Sequence, residues 1–388
     1  MAASEPLAWE AGSGSGILGR LISWRPDLTR ENGLPSPVYI ANAGLGHNAG
    51  LRLGLPLSLL SGRPLRLSGL VDDQPRPRPG LGPGGLTAAL AAARVSQGRF
   101  QGELGAGSME FTSGRVQPGD YAFDLAGLMP SAAPLSLVLE TLLLPLAAAQ
   151  GPSGLILRGG SHVPGGPTSD ELAQVLVPDW QALGLKLNYS EIAPGFFPAG
   201  GGEAEIHLQP AGRLEPLQAE GPFQPRQVGV EVLIAGLPLH LAEQTLRGAL
   251  ERLEVHGLSG RGNIRRARGG KGQALLVWAG DGRLRVGFTA LGRRGERPEA
   301  LAVEAVETLT GFLRSGAALP ADTASRLLLA LACAQGVSRL MVSHASRGLK
   351  AAVETIEAFW PGTVLLGRSR PNEALGLRVQ GRDWGRAL

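Results

Sequence analysis

The chain has 388 residues, 43% of them hydrophobic, and its 37 basic and 33 acidic side chains leave a net charge of only +4. That length predicts two or three cores, since one core seldom grows past roughly 200 residues, and the weak positive balance permits a polyanionic partner without requiring one. A lone cysteine, Cys333, excludes an internal disulfide, and uncharged apolar runs fall short of the roughly 20 residues that cross a bilayer, so a cytoplasmic protein with no membrane partner is expected.

Residues 1–37, with GSGSG and no clear period, read as a partly disordered extension. They lack the basic run and apolar block of a secretory leader. From there a unit recurs: a Leu/Ala-rich helical run, a breaker, a strand, a second amphipathic helix and further strands. The first copy holds LRLGLPLSLLSGRPLRLSGL (51–70), a helix from Gly85 (GLTAALAAARV) and the strand MEFTSG. The second holds LSLVLETLLLPLAAAQGPSGLILRGG (135–160), SDELAQVLVPDWQALG from Ser169, and LKLNYSEI. Glu140 lies within its first helix, which reads as buried. Leu172, Val175, Leu176 and Trp180 give its second helix one apolar stripe, with Ser169 as the expected N-cap and Asp170 and Glu171 in the first turn.

The third copy is expected to open with EAEIHLQP (203–210) and then to be split. In the gap, VGVEVLIAG reads as a strand and LPLHLAEQTLRGALERL as a helix. QALLVWAG and RLRVGFTA form a hairpin over Asp281 and Gly282, and PEALAVEAVETLTGFLRSG is a last helix. RGNIRRARGGKG, carrying Arg261, Arg265, Arg266, Arg268 and Lys271, reads as a loop. It is either a solvated surface or a contact for a phosphate backbone. The third copy resumes with ASRLLLALACAQGVSRLMVSH (324–344), RGLKAAVETIEAFW from Arg347, and TVLLGRS. The expected fold is α/β (α+β): three βαβαββ repeats around a pseudo-threefold core, over 38–213 and 319–388, with a small inserted α/β domain over 214–318.

Three features together resemble the RNA 3'-terminal phosphate cyclase family, from about Val38 to the end. They are PGFFPAGGG (194–202), PRPGLGPGGLTAALAAA ending at Ala93, and the repeat plan with its insert in the third unit. The resemblance implies enzymes that use ATP and a divalent metal to adenylylate a histidine. AMP then passes to an RNA 3'-phosphate, and the neighbouring 2'-hydroxyl closes a 2',3'-cyclic phosphate.

Carried onto this chain, the family's C-terminal motif puts Ser346 in its serine place, Gly348 in the place of the nucleophilic histidine, and Ala351 and Ala352 at its threonine and asparagine. His344 lies four residues earlier and reads as a bystander. Only a one-turn shift of register would make it catalytic. In NAGLGHNAGLRLG the family's acid falls at Leu45 and its glutamine at Ala49, while Arg52 remains. A later glutamine appears as Glu140, and an aspartate and a glutamine as Ser325 and Arg326.

Positive charge persists at Arg52, Arg76 and Arg78, which with Arg265, Arg266 and Arg268 are the candidate RNA or phosphate contacts. Glu140, His162 and Ser346 are the candidate nucleotide pocket, although a solvent-exposed loop histidine is the plainer account of His162. No histidine spacing suggests a metal site. The expectation is an RNA-binding family member, for RNA with 3'-phosphate ends and without DNA specificity, in which nucleotidyl transfer is lost. The alternative is an active cyclase, which alone would require ATP and Mg²⁺.

Overall fold

The structure, a computed structural model, describes residues 35–72, 78–127, 131–367 and 373–384. The expected extension therefore lies almost wholly outside the described residues. The first repeat runs β1 (Val38–Ile40), α1 (Leu45–Ser61), β2 (Leu65–Ser68), a short ribbon of β3 (Val71–Asp72) and β4 (Arg78–Pro79), α2 (Pro83–Ser96), β5 (Arg99–Gln101) and β6 (Ser108–Thr112). The second runs β7 (Asp120–Asp124), α3 (Ser136–Ala147), β8 (Ser153–Gly159), then one helix in three parts, and β9 (Lys186–Ala193) and β10 (Gly202–Gln209). Those parts are α4 (Ser169–Glu171), a π-turn (Leu172–Leu176) and α5 (Val177–Ala182).

The third repeat begins at β11 (Gln218–Ala219). The chain then leaves to form β12 (Gln227–Ala235), α6 (Leu239–Val255), β13 (Arg261–Ala267), β14 (Gly272–Gly280), β15 (Arg285–Leu291) and α7 (Pro298–Arg314). It returns as α8 (Ala321–Cys333), β16 (Val337–Val342), α9 (Arg347–Phe359), β17 (Val364–Leu366) and β18 (Leu375–Gln380).

The three repeat sheets share one topology: β1-β2-β6-β5, β7-β8-β10-β9 and β11-β16-β18-β17. In each, the first pair is parallel and spanned by the first helix, and the remaining pairs are antiparallel. Burial alternates along β8 and β10, as it must when one sheet face meets helices and the other meets water. The first helices lie deepest. Val138 to Ala147 of α3 are buried without a break, the mark of a helix packed on all sides. Among the described residues no helix is long and apolar enough to cross a membrane.

Three local expectations are corrected. EAEIHLQP is the last strand of the second repeat, paired in register with β8 and β9, and the third repeat opens instead at Gln218. The cap of α4 is Thr168, whose Oγ1 accepts from the Glu171 amide at 3.2 Å, rather than Ser169. RGNIRRA is not a loop but the edge strand β13, parallel to β12. Its charges suit an edge, where they oppose pairing with another chain.

The insert forms its own sheet, β13-β12-β14-β15, backed by α6 and α7. It leaves and re-enters at one spot, where the Phe223 amide donates to the Ala317 carbonyl at 2.9 Å. It rests on the second repeat. The Arg285 amide donates to Asp179 Oδ1 at 2.9 Å and its guanidinium to the Gln174 carbonyl at 2.8 Å. Gly287 permits that approach, because a Cβ there would stand 2.7 Å from Val175 Cγ2.

Candidate functional site

The three deepest helices bring polar groups to a common point. Arg52 of α1 donates to Ser325 Oγ of α8 at 2.9 Å, and its Nη1 lies 3.5 Å from Glu140 Oε2 of α3. Arg326 of α8 pairs with the other oxygen of Glu140. All three charged side chains are largely buried, so each is stabilised chiefly by the others. Burial pulls the Arg52 pKa down while Glu140 opposes it. Burial likewise disfavours charge on Arg326, but Glu140 and Glu171 outweigh it and hold that pKa up. The Glu171 carboxyl, further along, is pushed up to about 7 by burial despite the nearby Arg326.

This cluster forms the wall of a narrow cleft with a cavity volume of about 40 Å³, lined also by Asp72, Ser136 and glycines that include Gly84 and Gly85. Two helices begin there. Pro83 opens α2, Ser136 opens α3, and neither start is capped by a side chain. Amides at a helix start lack intrahelical partners and favour anions. Two guanidiniums and two helix starts thus face the same cleft as the Glu140 and Asp72 carboxylates. Past Asp72, Leu81 and Gly82 it continues into a wider groove of about 390 Å³, walled by Arg78, Leu104, Ser131, Phe197 and Pro198.

Of the residues singled out in the sequence, Arg52, Glu140 and Arg326 meet in the cleft, and Arg78 stands on the adjoining groove. Arg76 lies outside the described residues. His162 is not exposed: its side chain is fully buried, stacked on Phe196 at 5.3 Å between centroids. Its Nε2 is 3.1 Å from Asp170 Oδ2 and its Nδ1 3.4 Å from Glu191 Oε1. Arg265 bridges the same two carboxylates, at 2.6 and 2.7 Å. Burial disfavours charge on Asp170, yet His162 and Arg265 hold its pKa below the usual value.

His162, Asp170 and Glu191 place donor atoms within 4.8 Å of one another, a grouping their sequence spacing gave no sign of. The Arg265 guanidinium already supplies the positive charge between the carboxylates, so the cluster reads as a clamp between β13 and the second repeat. Neither His162 nor Arg265 lines the cleft. Arg266, on β13, and Arg268, in the turn after it, are exposed. Ser346 is a helix cap, its Oγ accepting from the Leu349 amide at 3.1 Å, and Gly348 lies in the first turn of α9. His344 is exposed after β16, its Nδ1 3.0 Å from Ser343 Oγ.

A family profile described as RNA 3'-terminal phosphate cyclase matches residues 44–365. The chain belongs to the RNA 3'-terminal phosphate cyclase family. Proteins named RNA 3'-terminal phosphate cyclase are similar over nearly their full length. One from Pseudomonas fluorescens is 34% identical over 343 residues, covering 87% of this chain and 96% of the relative. One from Ectopseudomonas mendocina is 33% identical over 319 residues, covering 82% and 91%. A third, from Salmonella agona, is 32% identical over 345 residues, covering 88% and 96%. Against the cyclase family pattern, Leu45 opens α1, and Ala49, in the place of the glutamine, is fully buried in it.

Proposed function

We propose that this member of the cyclase family binds phosphorylated RNA 3' ends in the cleft and has lost nucleotidyl transfer. One observation carries the reading: Arg52 and Arg326 flank the cleft, while Gly348 occupies the α9 position that the family pattern gives to histidine. Arginine keeps its charge at any working pH and meets phosphate oxygens in pairs. Glycine has no atom with which to attack phosphorus, and the Ser346 hydroxyl is engaged as a cap. The cleft suits the phosphate oxygens of either RNA or ATP. It does not offer a magnesium site at Glu140, which already faces two guanidiniums. A cytoplasmic home belongs to the same reading, with Cys333 buried and its thiol pushed up to about 12 by burial.

Fluorescence anisotropy with 3'-phosphorylated single-stranded RNA tests it. Micromolar or tighter binding is expected, weakening steeply with salt and lost in Arg326→Ala. Undetectable or salt-independent binding refutes it.

A second reading is an active, ATP-dependent cyclase with His344 as nucleophile, favoured by its exposure after β16 and by the names of the relatives. Labelled ATP with a divalent metal would then leave an acid-labile AMP adduct that His344→Ala abolishes. Absence of both adduct and cyclised RNA ends that reading.

A further inference from the structure

The anion cleft accounts for a terminal phosphate and leaves the adjoining groove without a role. Resting on the RNA-end reading, we propose that this groove and the turn after β13 hold the preceding nucleotides of a single-stranded RNA, with one base stacked on Phe197.

The two phenylalanines of PGFFPAGGG behave oppositely. Phe196 is 6% exposed and packs on His162, whereas Phe197 is 43% exposed on the groove wall. Leu104, 44% exposed, and Pro198 extend an apolar face beside it. Arg78 supplies a cation on the same groove. A second basic stretch is brought alongside by close backbone packing. A Cβ at Gly272 would fall 2.3 Å from Phe196 Cδ1, and one at Gly270 would lie 3.4 Å from Phe196 Cδ2. The exposed Lys271 is therefore held between two glycines that abut the phenylalanine loop, with exposed Arg268 just before them.

The path thus runs from two buried guanidiniums, past a cation and an aromatic ring, to a basic turn. Alternating cations and flat apolar faces suit a strand whose bases are unstacked. A duplex keeps its bases paired inside and cannot lay one on a protein ring.

The test is anisotropy on the full chain with 3'-phosphorylated RNAs from one to about ten nucleotides, single-stranded and annealed, across a salt series. Wild-type affinity should rise as the strand lengthens. In Phe197→Ala that rise should shrink by roughly 5- to 100-fold, and in Phe197→Tyr it should be retained. Lys271→Ala should lower the salt slope by about one. Circular dichroism of each variant separates a binding defect from misfolding.

If the wild type binds no RNA of any length, the RNA-end reading fails and this proposal with it. If it binds, but Phe197→Ala matches wild type at every length, only the groove assignment falls and the exposed ring is left for a protein partner. Equal affinity for annealed and single strands would also overturn it.

Discussion

Removing Glu140 should expose how the central cluster is held together. Glu140→Ala would leave Arg52, with 8% of its side chain exposed, and Arg326, with 16%, facing each other without a counter-charge. Breaking a buried pair by deleting one partner costs about 3–5 kcal/mol, a large share of the roughly 5–15 kcal/mol that holds a typical protein folded. Glu140→Gln keeps the shape and one acceptor oxygen, so its loss should be smaller, about 1–3 kcal/mol.

Urea unfolding at neutral pH in chloride buffer, repeated with inorganic phosphate, measures both effects. A ligand bound only by the folded state adds about 2.7 kcal/mol at a hundredfold excess over its dissociation constant. Phosphate should restore more stability to Glu140→Ala than to wild type, because it supplies the missing negative charge. A loss below about 1 kcal/mol, the range of exposed pairs, would refute the view that the cluster is mutually stabilised. An equal response to phosphate would refute its link to the anion cleft.

Ser346→Ala should lower stability by about 1 kcal/mol through loss of the α9 cap, read as a fall in the thermal midpoint. An unchanged midpoint would reopen a ligand-binding role for that hydroxyl. Glu171 takes up a proton more readily in the folded protein, where its pKa is about 7, than in the unfolded chain, where it is near 4.5. Its contribution to stability is therefore fully present below about 4.5 and lost as pH rises through 7, spanning roughly 3 kcal/mol at most. Glu171→Gln should flatten that part of the stability–pH curve, and parallel curves would contradict the assignment.

The repeats were legible because each first helix is a long apolar run followed by a breaker, and packing on all sides demands that composition. The junction between the second and third repeats was not. β11 is two residues, Gln218 and Ala219, too short to show a period, so the well-patterned strand before it reads as the opening of the third sheet although it pairs within the second. Nothing within a strand's own residues says which neighbour it pairs with.

The charged groups divide the same way. Arg52, Glu140 and Arg326 could each be picked out against the family pattern, yet their convergence spans separations of 186 and 273 residues along the chain and exists only after the helices pack. His162 looked exposed because RGGS precedes it. Its burial comes from Phe196, Asp170, Glu191 and Arg265, which arrive from three other segments. In RGNIRRA, only Ile264 is a large apolar residue. The strand forms because β12 offers it a partner, with almost no hydrophobic pattern of its own.

The excursion between β11 and α8 leaves one repeat and leans on its neighbour, through Arg285 against Asp179 and Arg265 against Asp170. It therefore works as a strap. Tandem arrays usually tolerate fraying of one unit while the rest stay intact. Here, loosening the 169–182 helix would slacken a segment whose two ends are sewn into another sheet. Amides in the second and third repeats should accordingly exchange with solvent as a single cooperative block, while those of the first retain a separate rhythm.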